Sequence, residues 1–162
     1  MPVFKAKLSK KSIDNLIKEL ENYKKKLEKL PSEIVKSACT AGEAAIAERI
    51  TAVTDTDGNY LAEAGSEYKG NKGVAYMEGA QAKFLSFGTG LVGAGTYPGK
   101  LPNDWKYASG EKVHPVTGVW YYTDARTGKS VKTRGIEAQA PVLRSVDDMR
   151  EAAIKAAKDG MK

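Results

Sequence analysis

The sequence predicts an α+β fold: N-terminal helices and a C-terminal helix packed on a small, mainly antiparallel sheet, with a long aromatic-rich loop and hairpin inserted. Three observations carry that prediction. Apolar residues recur with helical period over 12–53 and again over 141–158. Short, glycine-bounded, β-prone segments occupy 60–90. No strand–helix–strand alternation joins these stretches, which argues against a parallel sheet. The 162 residues read as a single domain with a loop and hairpin at 91–134, and 41% hydrophobic residues are enough to bury a core without staples.

The first apolar stripe is Ile13, Leu16, Ile17, Leu20, Tyr23, Leu27 and Leu30, with lysines between its members. Those spacings describe one face of an amphipathic helix, for which Ser12 is the expected N-cap. Pro31 is expected to end it, and Ser32 to cap a second helix through about Val53. Ile34, Val35, Ala38, Ala41, Ala45, Ile46, Ile50 and Val53 line that helix, whose alanines suit close approach to a sheet. The turn-forming run Thr54–Asn59 closes the helical region. Strands are then expected at Tyr60–Tyr68 and Gly73–Glu78, joined through Lys69-Gly70-Asn71-Lys72. Gln81–Phe87 reads as a short helical turn. Val119–Asp124 is strongly β-prone, turns at Arg126–Lys129 and returns along Ser130–Thr133. Pro141 begins, or just precedes, the last helix, with Leu143, Val146, Met149, Ala153, Ile154 and Ala157 expected on its buried side. Asp147 and Asp148 lie in its first turn, where the helix dipole favours acids.

Composition removes several function classes. No apolar run approaches the ~20 residues of a membrane helix, and no apolar stretch follows the N-terminal lysines as a secretory leader requires. The single Cys39 cannot form an internal disulfide, and with only His114 beside it no His/Cys zinc site can be built. The net charge of +6 is uneven: residues 1–36 carry ten lysines against five acids, and 37–162 carry sixteen basic against fifteen acidic residues.

The glycines of Gly88-Thr89-Gly90-Leu91-Val92-Gly93 match the spacing of a dinucleotide-binding turn, but Ala94-Gly95-Thr96-Tyr97-Pro98-Gly99 cannot continue as the required helix. The structural reading, glycines where the chain reverses, is preferred. Gly99-Lys100 and Gly128-Lys129-Ser130 lack the earlier glycine of a phosphate-binding loop, since Ala94 and Thr123 stand there. His114 precedes Pro115 in a loop, and the acids Asp55, Asp57, Asp147 and Asp148 sit in turns or at a helix start. No acid, base and nucleophile assemble, so the chain is expected to be no enzyme and to use no cofactor or metal. Lys24, Lys25 and Lys26, with Arg126 and Lys129 near the hairpin, are possible DNA-facing positions, and a small basic DNA-binding module is the alternative reading. Tyr97, Trp105, Tyr107, Trp120, Tyr121 and Tyr122 crowd the least regular stretch. They are candidates for an interface between subunits, against the competing view that the hairpin buries them within its own domain.

Two further segments carry a resemblance. Gly79-Ala80-Gln81-Ala82-Lys83-Phe84-Leu85-Ser86-Phe87-Gly88-Thr89-Gly90 is followed, after Val119-Trp120-Tyr121-Tyr122, by Gly135-Ile136-Glu137-Ala138-Gln139-Ala140-Pro141-Val142-Leu143-Arg144 and the last helix. This order resembles the head–tail joining, or tail-completion, proteins of long-tailed bacteriophages. In that family a phrase ending Phe-Gly-Thr-Gly closes the strand region, and a proline-containing phrase leads into the final helix. The likeness spans nearly the whole chain, with Glu137 where a proline is common and Val142 where an aromatic is common. It implies structural turns at Gly88, Gly90, Gly135 and Pro141. It further implies a virion protein that forms a ring of six copies at the neck, assembled in the host cytoplasm. The implied partners are further copies of itself and the adjoining connector and tail proteins, with DNA passing through the lumen without sequence-specific binding and no membrane.

Overall fold

A computed structural model describes residues 9–51, 62–79, 81–107, 114, 116–123 and 127–162, with only the backbone of Tyr122. Val53, the Thr54–Asn59 turn with Asp55 and Asp57, Tyr60, Asp124 and Arg126 lie outside the described residues. The fold is α+β. Its elements are α1 (Lys10–Thr51), β1 (Glu63–Lys69), β2 (Lys72–Glu78), α2 (Ala82–Phe87), α3 (Gly90–Gly93), β3 (Trp120–Thr123), β4 (Ser130–Thr133), α4 (Pro141–Arg144) and α5 (Val146–Gly160). The strands form two separate two-stranded sheets, β1-β2 and β3-β4, where a single small sheet is expected from the sequence. By its contacts the chain divides into two compact units. One comprises Met1–Ala44, Ser66–Tyr76 and Val146–Lys162, the other Ala45–Gly65 and Met77–Ser145.

In the first unit the two expected N-terminal helices are one. α1 runs for 42 residues with Pro31 inside it. Ser12 is not its cap: the Ser9 hydroxyl accepts from the Ser12 amide at 3.3 Å, and the Ser9 carbonyl accepts from Ile13. Nor does Ser32 cap a second helix, since its hydroxyl turns back and donates to the Lys29 carbonyl at 2.7 Å. That bond lies in the turn where proline removes a backbone donor, and the apolar stripe continues unbroken through Leu27, Leu30 and Ile34. Tertiary packing therefore overrides the local signal.

Small residues set how closely α1 is approached. Gly73 of β2 faces Cys39 and Val35, and Gly42 of α1 faces Ala75 of β2 and Met149 of α5, with no room at either glycine for a Cβ. The Ser37 hydroxyl reaches the Ala152 carbonyl at 3.5 Å, and Leu30 packs on Gly160, so α5 runs antiparallel to α1 from Gly42 to Leu30. The β1-β2 hairpin turns on Gly70 at φ +60 with no positive φ at Asn71, the II′ arrangement. Ser66 donates to Glu43 at 2.6 Å. The C-terminal helix is not continuous from Pro141. It breaks at Ser145, and Leu143, Val146 and Ile154 are exposed, not buried as the periodicity suggests.

In the second unit, Ala45, Ile46 and Ile50 at the end of α1 are buried with Ala62, Leu85, Ala138 and Ala140. The Arg49 and Thr51 side chains donate to the Ala45 and Ala47 carbonyls, one turn back in α1. α2 forms as expected over Ala82–Phe87. β3 and β4 pair antiparallel, Trp120 opposite Thr133 and Thr123 opposite Ser130.

Candidate assembly surface

The two segments that carry the family-like motifs meet in the second unit as a backbone junction. The Thr89 amide donates to the Ile136 carbonyl at 2.8 Å, and the Thr89 hydroxyl accepts from the Ile136 amide at 3.1 Å, across 47 residues. Gln139 N–H donates to the Leu85 carbonyl at 2.9 Å. The Thr96 hydroxyl accepts from Ala138 N–H at 2.8 Å and donates to the Gly93 carbonyl at 2.8 Å. The backbone polar groups of an irregular segment are thus paired with one another.

Glycine makes this approach possible. Gly88, at φ +77, has the Ile136 carbonyl and Ala138 amide 2.8 Å from where a Cβ would stand. Gly135, at φ +100, presses directly on the Thr89 backbone, leaving no space for a methyl. Gly90, also at positive φ, faces the Arg134 carbonyl. The space beside the glycines of the Gly88–Gly93 run is filled by the chain's own backbone. α3 is a single helical turn ending at Ala94, so the run does open one turn of helix but not the long one a pyrophosphate site needs. Pro141 is buried at the start of α4, after Ala140 in the left-handed region at φ 46.

The aromatic residues divide. Tyr97, Trp105 and Tyr107 fold back onto α2: Phe87 meets the Tyr97 ring edge-on at 5.1 Å and Trp105 at 5.2 Å. Phe84 lies 5.9 Å from Trp105, Trp105 meets Tyr107 edge-on at 6.4 Å, and the Tyr107 hydroxyl donates to the Phe87 carbonyl at 2.9 Å. The Trp105 Nε1–H is buried with no hydrogen-bond partner among the described residues. Trp120 is half-buried beside Gly90. Tyr121, 66% exposed, points outward from β3. Of Tyr122 only the place in the β3 register, opposite Val131, is described.

Around the junction several apolar side chains stay in solvent. Leu91, 54% exposed, and Val92 project from α3, and Ile136 lies beside Thr89. Leu91 also covers Gly118. The motif positions thus form a rigid base that presents apolar side chains outward.

The basic positions sit apart in the sequence. Lys24, Lys25 and Lys26 are exposed on α1, with Lys24 4.0 Å from Glu28 one turn on. Lys129 is exposed before β4. His114 organises its loop: its amide donates to Val119, its carbonyl accepts from Gly118, and its Nδ1 accepts from the Thr117 amide at 3.3 Å. Among the described residues no cluster of His, Cys, Asp and Glu could hold a metal ion, and no helix is long and apolar enough to cross a membrane.

Sequence reading overlooks Thr96, which joins two segments through one hydroxyl, and the role of Phe84 and Phe87 as the floor under the aromatic loop. A threonine shortly after a glycine run signals a local turn, and nothing local foretells its partner 42 residues away. No family model, curated protein or solved structure matches this chain.

Proposed function

We propose that this chain is a structural subunit of the neck of a long-tailed bacteriophage. Copies assemble into a ring, six by the family's pattern, that joins the capsid connector to the tail tube and lets DNA pass through its lumen. The observation that carries the reading is the junction. Phe87-Gly88-Thr89-Gly90 and Gly135–Ala140, the two phrases on which the resemblance rests, are bonded to one another through backbone with no space for side chains at Gly88 and Gly135.

Mechanistically, the junction and the aromatic packing on α2 hold residues 89–107 in place before they meet a partner. A pre-ordered loop loses less conformational entropy on assembly than a free one. Leu91, Val92, Ile136 and Tyr121 then supply the contact to a neighbouring subunit or an adjacent ring. Each apolar side chain fully buried there contributes about 1.5–3 kcal/mol. Ring closure repeats the contact around the assembly, which is how a joint without covalent chemistry withstands load.

The test is electron microscopy of particles made with and without this protein. Filled heads and finished tails that stay separate in its absence are the expected result. Joined, infectious particles made without it would overturn the proposal. Complementation with Leu91→Asp should restore joining poorly, while Lys129→Ala should restore it fully.

A further inference from the structure

We infer that the N-terminal part of α1, residues 10–29, pairs with the same segment of a second copy of this chain as an antiparallel two-helix coil. The pairing goes beyond the neck reading and does not depend on it.

The apolar stripe repeats every seven residues, with Ile13, Leu20 and Leu27 at one core position and Leu16, Tyr23 and Leu30 at the other. A sustained seven-residue repeat is matched by another helix of the same repeat, because it keeps a narrow seam facing one partner. Within the chain the seam has such a partner only in part. α5 covers it from Gly42 to Leu30 and ends there on Gly160. Beyond that point Ile13, Ile17, Leu20 and Leu27 are 41–49% exposed. The uncovered seam therefore continues an interface already built from an antiparallel helix.

That continuity selects direction and occupant. A partner arm laid parallel would run into α5 at Leu30, whereas an antiparallel arm starts where α5 stops. Pairing the two core positions antiparallel sets Leu16 against the partner's Leu27 and Leu20 against the partner's Tyr23. The same register brings Glu19, which flanks the seam, beside the partner's Lys26. Opposite charges so meet twice by symmetry, the flanking pattern that sets partner choice in coiled coils. A lipid surface fits less well. The apolar face is a narrow seam without Trp or Phe, and Glu19, Glu21 and Glu28 dilute the lysines on the polar face.

Sedimentation equilibrium of the full chain, wild type against Leu20→Glu, tests the pairing. Leu20 is 44% exposed in the single chain and outside the buried core, so this change is expected to leave the fold in place, which circular dichroism checks. The wild type is expected to dimerise at tens of micromolar, roughly the range of a short coil, and Leu20→Glu to weaken dimerisation on the order of a hundredfold or more. Lys25→Glu, outside the seam, should leave it nearly unchanged. Direction is read by cysteine cross-linking. A mixture of Leu16→Cys and Leu27→Cys chains should cross-link to each other, and Leu16→Cys alone should not. A wild type that stays monomeric at hundreds of micromolar, a dimer that survives Leu20→Glu, or efficient cross-linking of Leu16→Cys to itself would overturn the inference. So would a monomer whose seam instead binds phosphatidylglycerol-containing vesicles.

Discussion

The seam between α1 and α5 and the junction around Thr89 and Gly135 are both closely packed, but by opposite means. Along the seam, as on the β2 side of α1, a side chain fills the space that a facing glycine leaves, as with Leu30 over Gly160 of α5 and Cys39 over Gly73 of β2. At the junction two backbones touch, and the side chains that matter are two threonine hydroxyls. A seam of side chains is weakened mainly by removing volume, since the cavity left behind is not refilled. A backbone junction is weakened mainly by adding volume. The same chain thus contains one region that tolerates irregular backbone poorly and one made almost wholly of it.

The largest effect should follow from adding a single methyl at the junction. Gly135→Ala must adopt φ +100, and its Cβ must displace the Thr89 backbone. Strain at such a backbone position costs about 1–3 kcal/mol, before the displaced bonds are counted. We expect urea denaturation to show a loss of about 3 kcal/mol or more with an unchanged slope. A loss under about 1 kcal/mol would mean that the junction yields easily, and the contrast between the two regions would fail.

Next in size is Thr96→Val, which keeps the shape and removes the hydroxyl. The amide of Ala138, which is buried, would lose its partner, while the Gly93 carbonyl keeps the Thr96 amide at 3.1 Å. An unsatisfied buried donor costs about 1–3 kcal/mol, so a loss of about 2 kcal/mol is expected in the same experiment. The aromatic loop anchored on Phe87 should stay in place, giving unchanged tryptophan emission. A red-shifted emission would join loop and junction into one unit and blur the comparison on the other side.

How far the sequence carries the argument follows the same divide. Helical stripes, the Gly70 turn, α2 and the β3-β4 hairpin were legible because each is a local pattern of spacing or turn chemistry. Pro31 misled because proline is a strong local signal, and the stripe that outvotes it is spread over Leu27, Leu30 and Ile34. The outward position of Ile154 and Val146 was hidden because periodicity marks a face without saying what covers it. The junction was hidden for a different reason: hydrogen bonds between backbones 47 residues apart leave little trace beyond the glycines that permit them. The crowding of aromatic residues was legible as composition, but not which rings turn inward onto Phe84 and Phe87.

Pro31→Ala probes the seam from the stabilising side and should have a smaller effect. Proline in a helix interior costs about 3 kcal/mol relative to alanine. Packing of the stripe around Pro31 already absorbs part of that cost, and the Ser32 hydroxyl, which serves Lys29, does not replace the bond proline denies to the Leu27 carbonyl. We expect a gain of about 1–2 kcal/mol in urea denaturation. A loss instead would show that α1 needs the bend that proline imposes to hold α5.

Cys39 gives the smallest and most selective test, because it sits where the β2 side of α1 borrows the junction's device. Gly73 has no side chain, and the Cys39 thiol fills that space against β2. The residue is buried, and burial pushes the thiol above its ordinary value by penalising the charged form. Below about pH 8.5 folded and unfolded chains both hold the proton, and the group contributes no pH dependence. Above that, the unfolded chain loses its proton first, so stability falls as pH rises. Comparing wild type with Cys39→Ala between pH 7 and 10 isolates this slope from that of the rest of the chain. The wild type should lose ground to the variant as pH rises, and its thiol should react with iodoacetamide far more slowly folded than in urea. Equal labelling in both states would mean that α1 and β2 part readily at Gly73. α1 would then be held at its α5 face alone.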